Sequence, residues 1–160
     1  MPKTTRRDLR ALLHVPQHDL QAQLASRLER LGFPALRPAQ VQLLLAIEGD
    51  GVRLADLVSA VSLPKQTVGD MIDDLEKIRM VERFPDPDHG VIKRVRLGPK
   101  GKLWANEVKR VAAETEARWA TRLGSKKMRS LRALLEELAA TVEERPSARQ
   151  HNGVRALKRG

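Results

Sequence analysis

The chain has 160 residues with 41% hydrophobic and 31% charged side chains, no cysteine, and a formal net charge of +10. That length suits one core with appended elements, the composition excludes a wholly disordered chain, and the absence of cysteine excludes disulfides, thiolate metal sites and thiol nucleophiles. No run has signal-peptide character or the length to span a bilayer, so the expectation is a cytoplasmic protein with no membrane partner.

The predicted elements begin with a helix from about Thr4 to His14, with Leu9, Leu12 and Leu13 on one side, that Pro16 interrupts. A second helix follows, lined by Leu20, Leu24, Leu28 and Leu31 and stopped by Gly32, Phe33 and Pro34. The segment Pro38 to Glu48 reads as a third helix with Val41, Leu44, Leu45 and Ile47 inward, and Gly49 to Gly51 as a turn. A short helix from Leu54 to Val61 has one apolar face. Ser62, Leu63 and Pro64 then read as a cap with proline in the first turn of the next helix, whose Val68, Met71, Ile72, Leu75 and Ile78 recur at helical spacing as its core half.

From Val81 the period changes to that of strands. Two runs, Val81 to Phe84 and Val91 to Leu97, flank Pro85-Asp86-Pro87-Asp88-His89-Gly90 and predict a two-stranded hairpin with Ile92, Arg94 and Arg96 on one basic face. Gly98, Pro99 and Gly101 end it, and a long helix from about Lys100 to Leu123 spaces Trp104, Val108, Val111, Thr115 and Trp119 by threes and fours up to Gly124. The last helix, about Ser125 to Val142, carries Met128, Leu131, Leu134, Leu135 and Leu138, with a loose basic tail beyond.

The positive charge is segregated. Lys3, Arg6, Arg7 and Arg10 lie at one end, Arg145, Arg149, Arg155, Lys158 and Arg159 at the other, and Lys93, Arg94, Arg96, Lys100 and Lys102 in and after the hairpin, whereas residues 38 to 80 hold seven acids against four bases. Such placement suits a polyanion partner, double-stranded DNA being the one that a helix pair followed by a basic ribbon fits. A helix presents its first turns to base edges in the major groove while a ribbon reaches the backbone or minor groove. Lys65, Gln66, Thr67, Gly69 and Asp70 on the helix, with Arg83, Lys93, Arg94 and Arg96 on the ribbon, are therefore the candidate DNA-binding residues.

The stretch from Leu36 to Gly101, 66 of the 160 residues, resembles the MarR (multiple antibiotic resistance regulator) transcription factors. RPAQVQLLLAI, LADLVSAVSLPKQTVGDMIDDLEKIRMVERFPDPD and VRLGPKG carry the resemblance. It implies a mainly α fold with a small two-stranded β wing: a winged helix-turn-helix core (36–99) flanked by N-terminal (1–35) and C-terminal (100–143) dimerisation helices, with a basic tail at 144–160. It also implies a prokaryotic homodimer on a pseudo-palindromic operator, released by a small-molecule effector. The leucine faces Leu9, Leu12, Leu13, Leu20, Leu24 and Leu131, Leu134, Leu135, Leu138 fit the dimer helices. Leu28, Trp104 and Trp119 are the candidate walls of an effector crevice.

Departures from the family pattern fall at the site. His89-Gly90-Val91 replaces the wing tip's aspartate and arginines, leaving Lys93 or Arg94 to substitute; Asp70 stands where a base is frequent; and Arg79 replaces the glycine that ends the helix, requiring a strained non-glycine conformation or another cap. No cofactor loop or catalytic constellation is present, so no enzyme activity and no cofactor are expected. His14 and His18 stand one turn apart, but no acid beyond Asp19 is near and no metal is expected. The competing reading is a winged-helix protein-interaction or architectural module without sequence-specific DNA reading.

Overall fold

The computed structural model of the chain describes residues 7–91 and 93–143. The predicted helix start at Thr4, the basic residues Lys3 and Arg6, Ile92 and the whole basic tail lie outside them. Nine elements follow in the order α1 (Leu9–Arg30), α2 (Pro38–Leu45), β1 (Val52–Arg53), α3 (Leu54–Val61), α4 (Lys65–Lys77), β2 (Val81–Pro85), β3 (Lys93–Leu97), α5 (Pro99–Leu123) and α6 (Ser125–Glu143). They form two compact units, one running to Thr115 and one from Glu116. None of the described helices is long and apolar enough to cross a membrane.

In the first unit one core gathers Leu43, Leu44 and Ile47 from the α2 region, Leu57 of α3, Val68, Met71, Ile72 and Leu75 of α4, Met80, Val81, Val95 and Trp104. The fold is mainly helical with a small antiparallel sheet, but the sheet has three strands in the order β1-β3-β2 rather than two. Val52 pairs with Val95 and Arg53 with Arg94 on one side, while Val81 to Pro85 pair with Leu97 to Lys93 on the other. A two-residue strand carries no readable period, which is why the sequence does not reveal β1.

Other expectations need correction as well. Pro16 does not divide the N-terminal segment: α1 runs unbroken through it. The proline removes only the bond to the Leu12 carbonyl, on an exposed stretch where water can satisfy that oxygen, and Asp8 caps the start by accepting from Ala11 N at 2.7 Å. In α2 the inward face is Gln40, Leu43 and Leu44, continued by Ile47 beyond the end of the helix, and Leu45 is exposed; the Gln40 side chain accepts from Arg37 N at 2.9 Å. Ile78 is likewise exposed, beyond the last turn of α4. Ser62 does not cap α4: it closes α3 in the left-handed conformation (φ 52°), and Pro64 occupies the N-cap of α4, its carbonyl accepting from Val68 N at 3.1 Å.

Arg79 adopts the left-handed conformation in place of glycine (φ 63°). Arg79 N donates to Glu76 O and Met80 N to Leu75 O, both at 2.9 Å, the double closure that ends a helix and turns the chain into β2. The expected hairpin strand begins at Lys93, and Val91 is almost fully exposed at the tip.

Candidate nucleic-acid interface

Helix α4 is held by its inner face, with Val68, Ile72 and Leu75 fully buried. This fixes what points outward: Lys65, Gln66, Thr67 and Asp70 are exposed and Gly69 is half-exposed among them. Behind this outward patch, the acids of the helix are compensated. Asp73 and Glu76 both meet Arg83, and Asp74 meets Lys77 at 3.2 Å and Arg37 at 3.8 Å. The local repulsion of phosphate that the Asp73-Asp74 pair suggests is thus largely cancelled within the chain, and Asp70 is the acid left on the patch.

The wing cations are not equivalent. Arg83 lies between β2 and α4, with Nη1 2.5 Å from Asp73 Oδ1 and 2.8 Å from Glu76 Oε2 and Nη2 donating to Gly69 O at 3.3 Å. Arg94 donates to Gly51 O, and its Nε is buried with no partner among the described residues. Arg96 pairs across the strands with Glu82 at 3.1 Å and stands over the Phe84 ring at 5.0 Å, on the exposed side. Lys93 is exposed with no ion pair among the described residues. The candidate wing cations therefore separate into partly buried arginines at 83 and 94 and exposed cations at 93 and 96.

Two residues that the sequence reading did not single out organise the wing. The Asp86 carboxylate is fully buried, accepting from Asp88 N at 2.9 Å and from Arg53 Nε at 3.1 Å. The Asp88 amide, followed by the Arg53 guanidinium, holds the Asp86 carboxyl below its usual range against the opposing effect of burial. The Pro85-Asp86-Pro87-Asp88 turn signal could have pointed to Asp86, whose side chain bonds the backbone two residues on; nothing in the sequence points to Arg53.

The effector-crevice candidates are divided. A pocket of about 670 Å³ is lined by Leu24, Leu28, Phe33, Leu36, Val41 and Trp104 among others, so it brings Leu28 and Trp104 together; Trp119 is not part of it and belongs to the second unit. Beside this pocket α1 is tied to α5 by Arg27, which lies 3.2 Å from Glu107 and 3.8 Å from Glu114. Burial raises the Glu107 carboxyl, but hydrogen bonds from Arg27 and Arg110 outweigh it and the net shift is downward. His14 and His18 have ring centroids 5.8 Å apart on α1, and no group of three potential metal ligands occurs among the described residues.

The leucine faces are open in the single chain. Leu9, Leu12 and Leu13 of α1 are exposed, as are Leu131, Leu134, Leu135 and Leu138 of α6, while Leu20 and Leu24 are half-buried. In the second unit Arg132 bridges Glu116 of α5 and Glu136 of α6.

No protein-family model and no curated protein matches the sequence. Solved structures do. MarR superposes with a TM-score of 0.62 at 20% identity, covering 85% of this chain and 98% of that one. The transcriptional regulator Tm0710 from Thermotoga maritima gives 0.61 at 21% identity, with 84% and 93% covered. A mutant of S. aureus MepR bound to an oligodeoxyribonucleotide gives 0.56 at 19% identity, with 85% and 99% covered. At these identities the likeness is one of fold, and the chain has the winged helix-turn-helix fold of MarR-type regulators.

Proposed function

We propose that the protein is a DNA-binding transcriptional regulator of the MarR type that works as a homodimer on a pseudo-palindromic operator. The observation that carries this reading is the outward patch of α4. A helix whose inner face is locked in a core presents Lys65, Gln66 and Thr67 in its first turns, where side chains reach base edges in a major groove. The wing cations Lys93 and Arg96 suit phosphate contacts beside it. The exposed leucines of α1 and α6 suit a second copy, with 1–35 and 100–143 as the dimerisation segments. The MepR neighbour solved with an oligodeoxyribonucleotide is in keeping with this use of the fold. The apolar pocket around Leu28 and Trp104 is the place for a small-molecule effector, whose binding would change the spacing of the two recognition helices.

The test is selection from a pool of random duplexes at low and moderate salt. A dimeric operator reader enriches an inverted repeat with half-sites about one helical turn apart. One set of observations favours the alternative of a protein-interaction or architectural module: Arg83 and Arg94 are turned inward and Asp70 lies on the reading face. Salt-sensitive binding without enrichment would support the architectural role, and no binding at either salt the protein-interaction role.

A further inference from the structure

Arg83 reads from sequence as a wing cation for DNA, yet its geometry is that of a brace. Its backbone N–H donates to Glu76 Oε1 at 3.0 Å and its guanidinium reaches Glu76 Oε2 at 2.8 Å, so both carboxylate oxygens of one α4 residue hold one residue of β2. The same guanidinium meets Asp73 at 2.5 Å and the Gly69 carbonyl at 3.3 Å. Positions 69, 73 and 76 are successive turns of one helix face, so a single side chain spans the helix from its outward patch to its C-terminal end. With two carboxylates and a carbonyl on it, and only 23% of its side chain exposed, Arg83 has little charge or surface left for phosphate.

From this geometry we propose that Arg83 is a positioning residue: it locks the wing strand β2 onto α4 and sets the angle between wing and recognition helix, and thereby sequence discrimination, without itself contacting DNA. The inference rests on the DNA-reading function proposed above. A planar guanidinium whose Nη1 meets two carboxylates while Nη2 donates to a carbonyl fixes direction as well as distance, which the point charge of a lysine cannot do in the same place. Discrimination depends on base-edge geometry, whereas non-specific affinity depends on the number of phosphates neutralised. A brace and a phosphate contact therefore leave different signatures.

The experiment measures binding of Arg83→Gln and Glu76→Gln to the selected duplex and to a random duplex across a salt series, each corrected for its folded fraction from thermal melting. The brace predicts that both variants lose discrimination by on the order of tenfold, with the wild-type salt slope retained and the double variant no worse than either single. The Glu76 variant is decisive because it removes a negative charge beside the DNA, which by electrostatics alone strengthens binding. If Arg83 instead touches phosphate, Arg83→Gln flattens the slope by about 0.9 and weakens both duplexes alike; that result, or unchanged discrimination in both variants, overturns the proposal. Should the wild-type chain select no sequence, the DNA-reading function fails by itself. The brace is then judged by amide exchange over 81–85 in Arg83→Gln, where faster exchange supports it and unchanged exchange overturns it.

Discussion

Gly69 sits in the interior of α4, where a glycine costs about 0.5–1 kcal/mol relative to alanine. Packing does not demand it, since a Cβ built there meets nothing within 4 Å. Gly101 is the opposite case: a Cβ there would stand 2.0 Å from the Met80 carbonyl oxygen, so the first turn of α5 can approach the turn between α4 and β2 only over a glycine. On the proposed reading face, a glycine at this place lets the backbone come close to base edges. Gly69→Ala is therefore expected to raise stability by about 0.5–1 kcal/mol, roughly 1–4 °C in Tm, while lowering affinity for the selected duplex severalfold. Thermal melting and equilibrium binding on one preparation check both; a stabilised variant with unchanged affinity would mean that this face does not pack against the groove.

At the scale of elements, the wing depends on a buried acid. Asp86 joins the hairpin turn to β1 through Asp88 N and Arg53, and its carboxyl is held below the usual aspartate value of 3.8 first by the Asp88 amide, against burial, and then by Arg53. Because the folded value lies below the unfolded one, the stabilisation is complete above the unfolded value and is lost as pH falls through the folded one. The wing anchor is thus intact at neutral pH and released only in acid. Melting temperatures taken between about pH 6 and pH 2 should fall more steeply below about pH 4 for the wild type than for Asp86→Asn, which has no carboxyl to protonate there. Parallel curves would remove Asp86 from this role.

The same elements show what was legible beforehand. The apolar face of α4 and the placement of Lys65, Gln66 and Thr67 opposite it follow from helical period, which sequence states directly. The turn into β2 at Arg79 was visible as a missing glycine, and its left-handed backbone is the first of the two outcomes that this allowed. The arginines were not legible in the same way. Arg83 stands in β2 and Arg94 and Arg96 alternate in β3, and only tertiary placement decides that Glu76 and Asp73 face the first, the Gly51 carbonyl the second and Glu82 the third. Pro16 misled because helix breaking is a cost of about 3 kcal/mol, not a prohibition, and α1 is long enough on both sides to carry it.

For the whole molecule, the question is what covers the leucines. Leu9, Leu12 and Leu13 of α1 are 66, 52 and 44% exposed, and Leu131, Leu134, Leu135 and Leu138 of α6 are 38, 63, 42 and 44% exposed. Full burial of a leucine is worth about 1.5–3 kcal/mol, so covering the remaining surface of these side chains in two copies supplies on the order of 15 kcal/mol gross. Association costs about 4–15 kcal/mol, so the surface is sufficient for a dimer but not by a wide margin. In the proposed dimer, two charges placed on the α6 stripe should separate the copies without unfolding either, because Leu134 and Leu138 are exposed in the single chain. Leu134→Lys with Leu138→Lys is expected to sediment as a monomer with a near-wild-type far-ultraviolet spectrum, and to lose at least a hundredfold in affinity for the full inverted repeat because two linked half-sites become one. A variant that stays dimeric would place the interface elsewhere. A monomer that still binds the full repeat as tightly as wild type would show that the two half-sites are not read together.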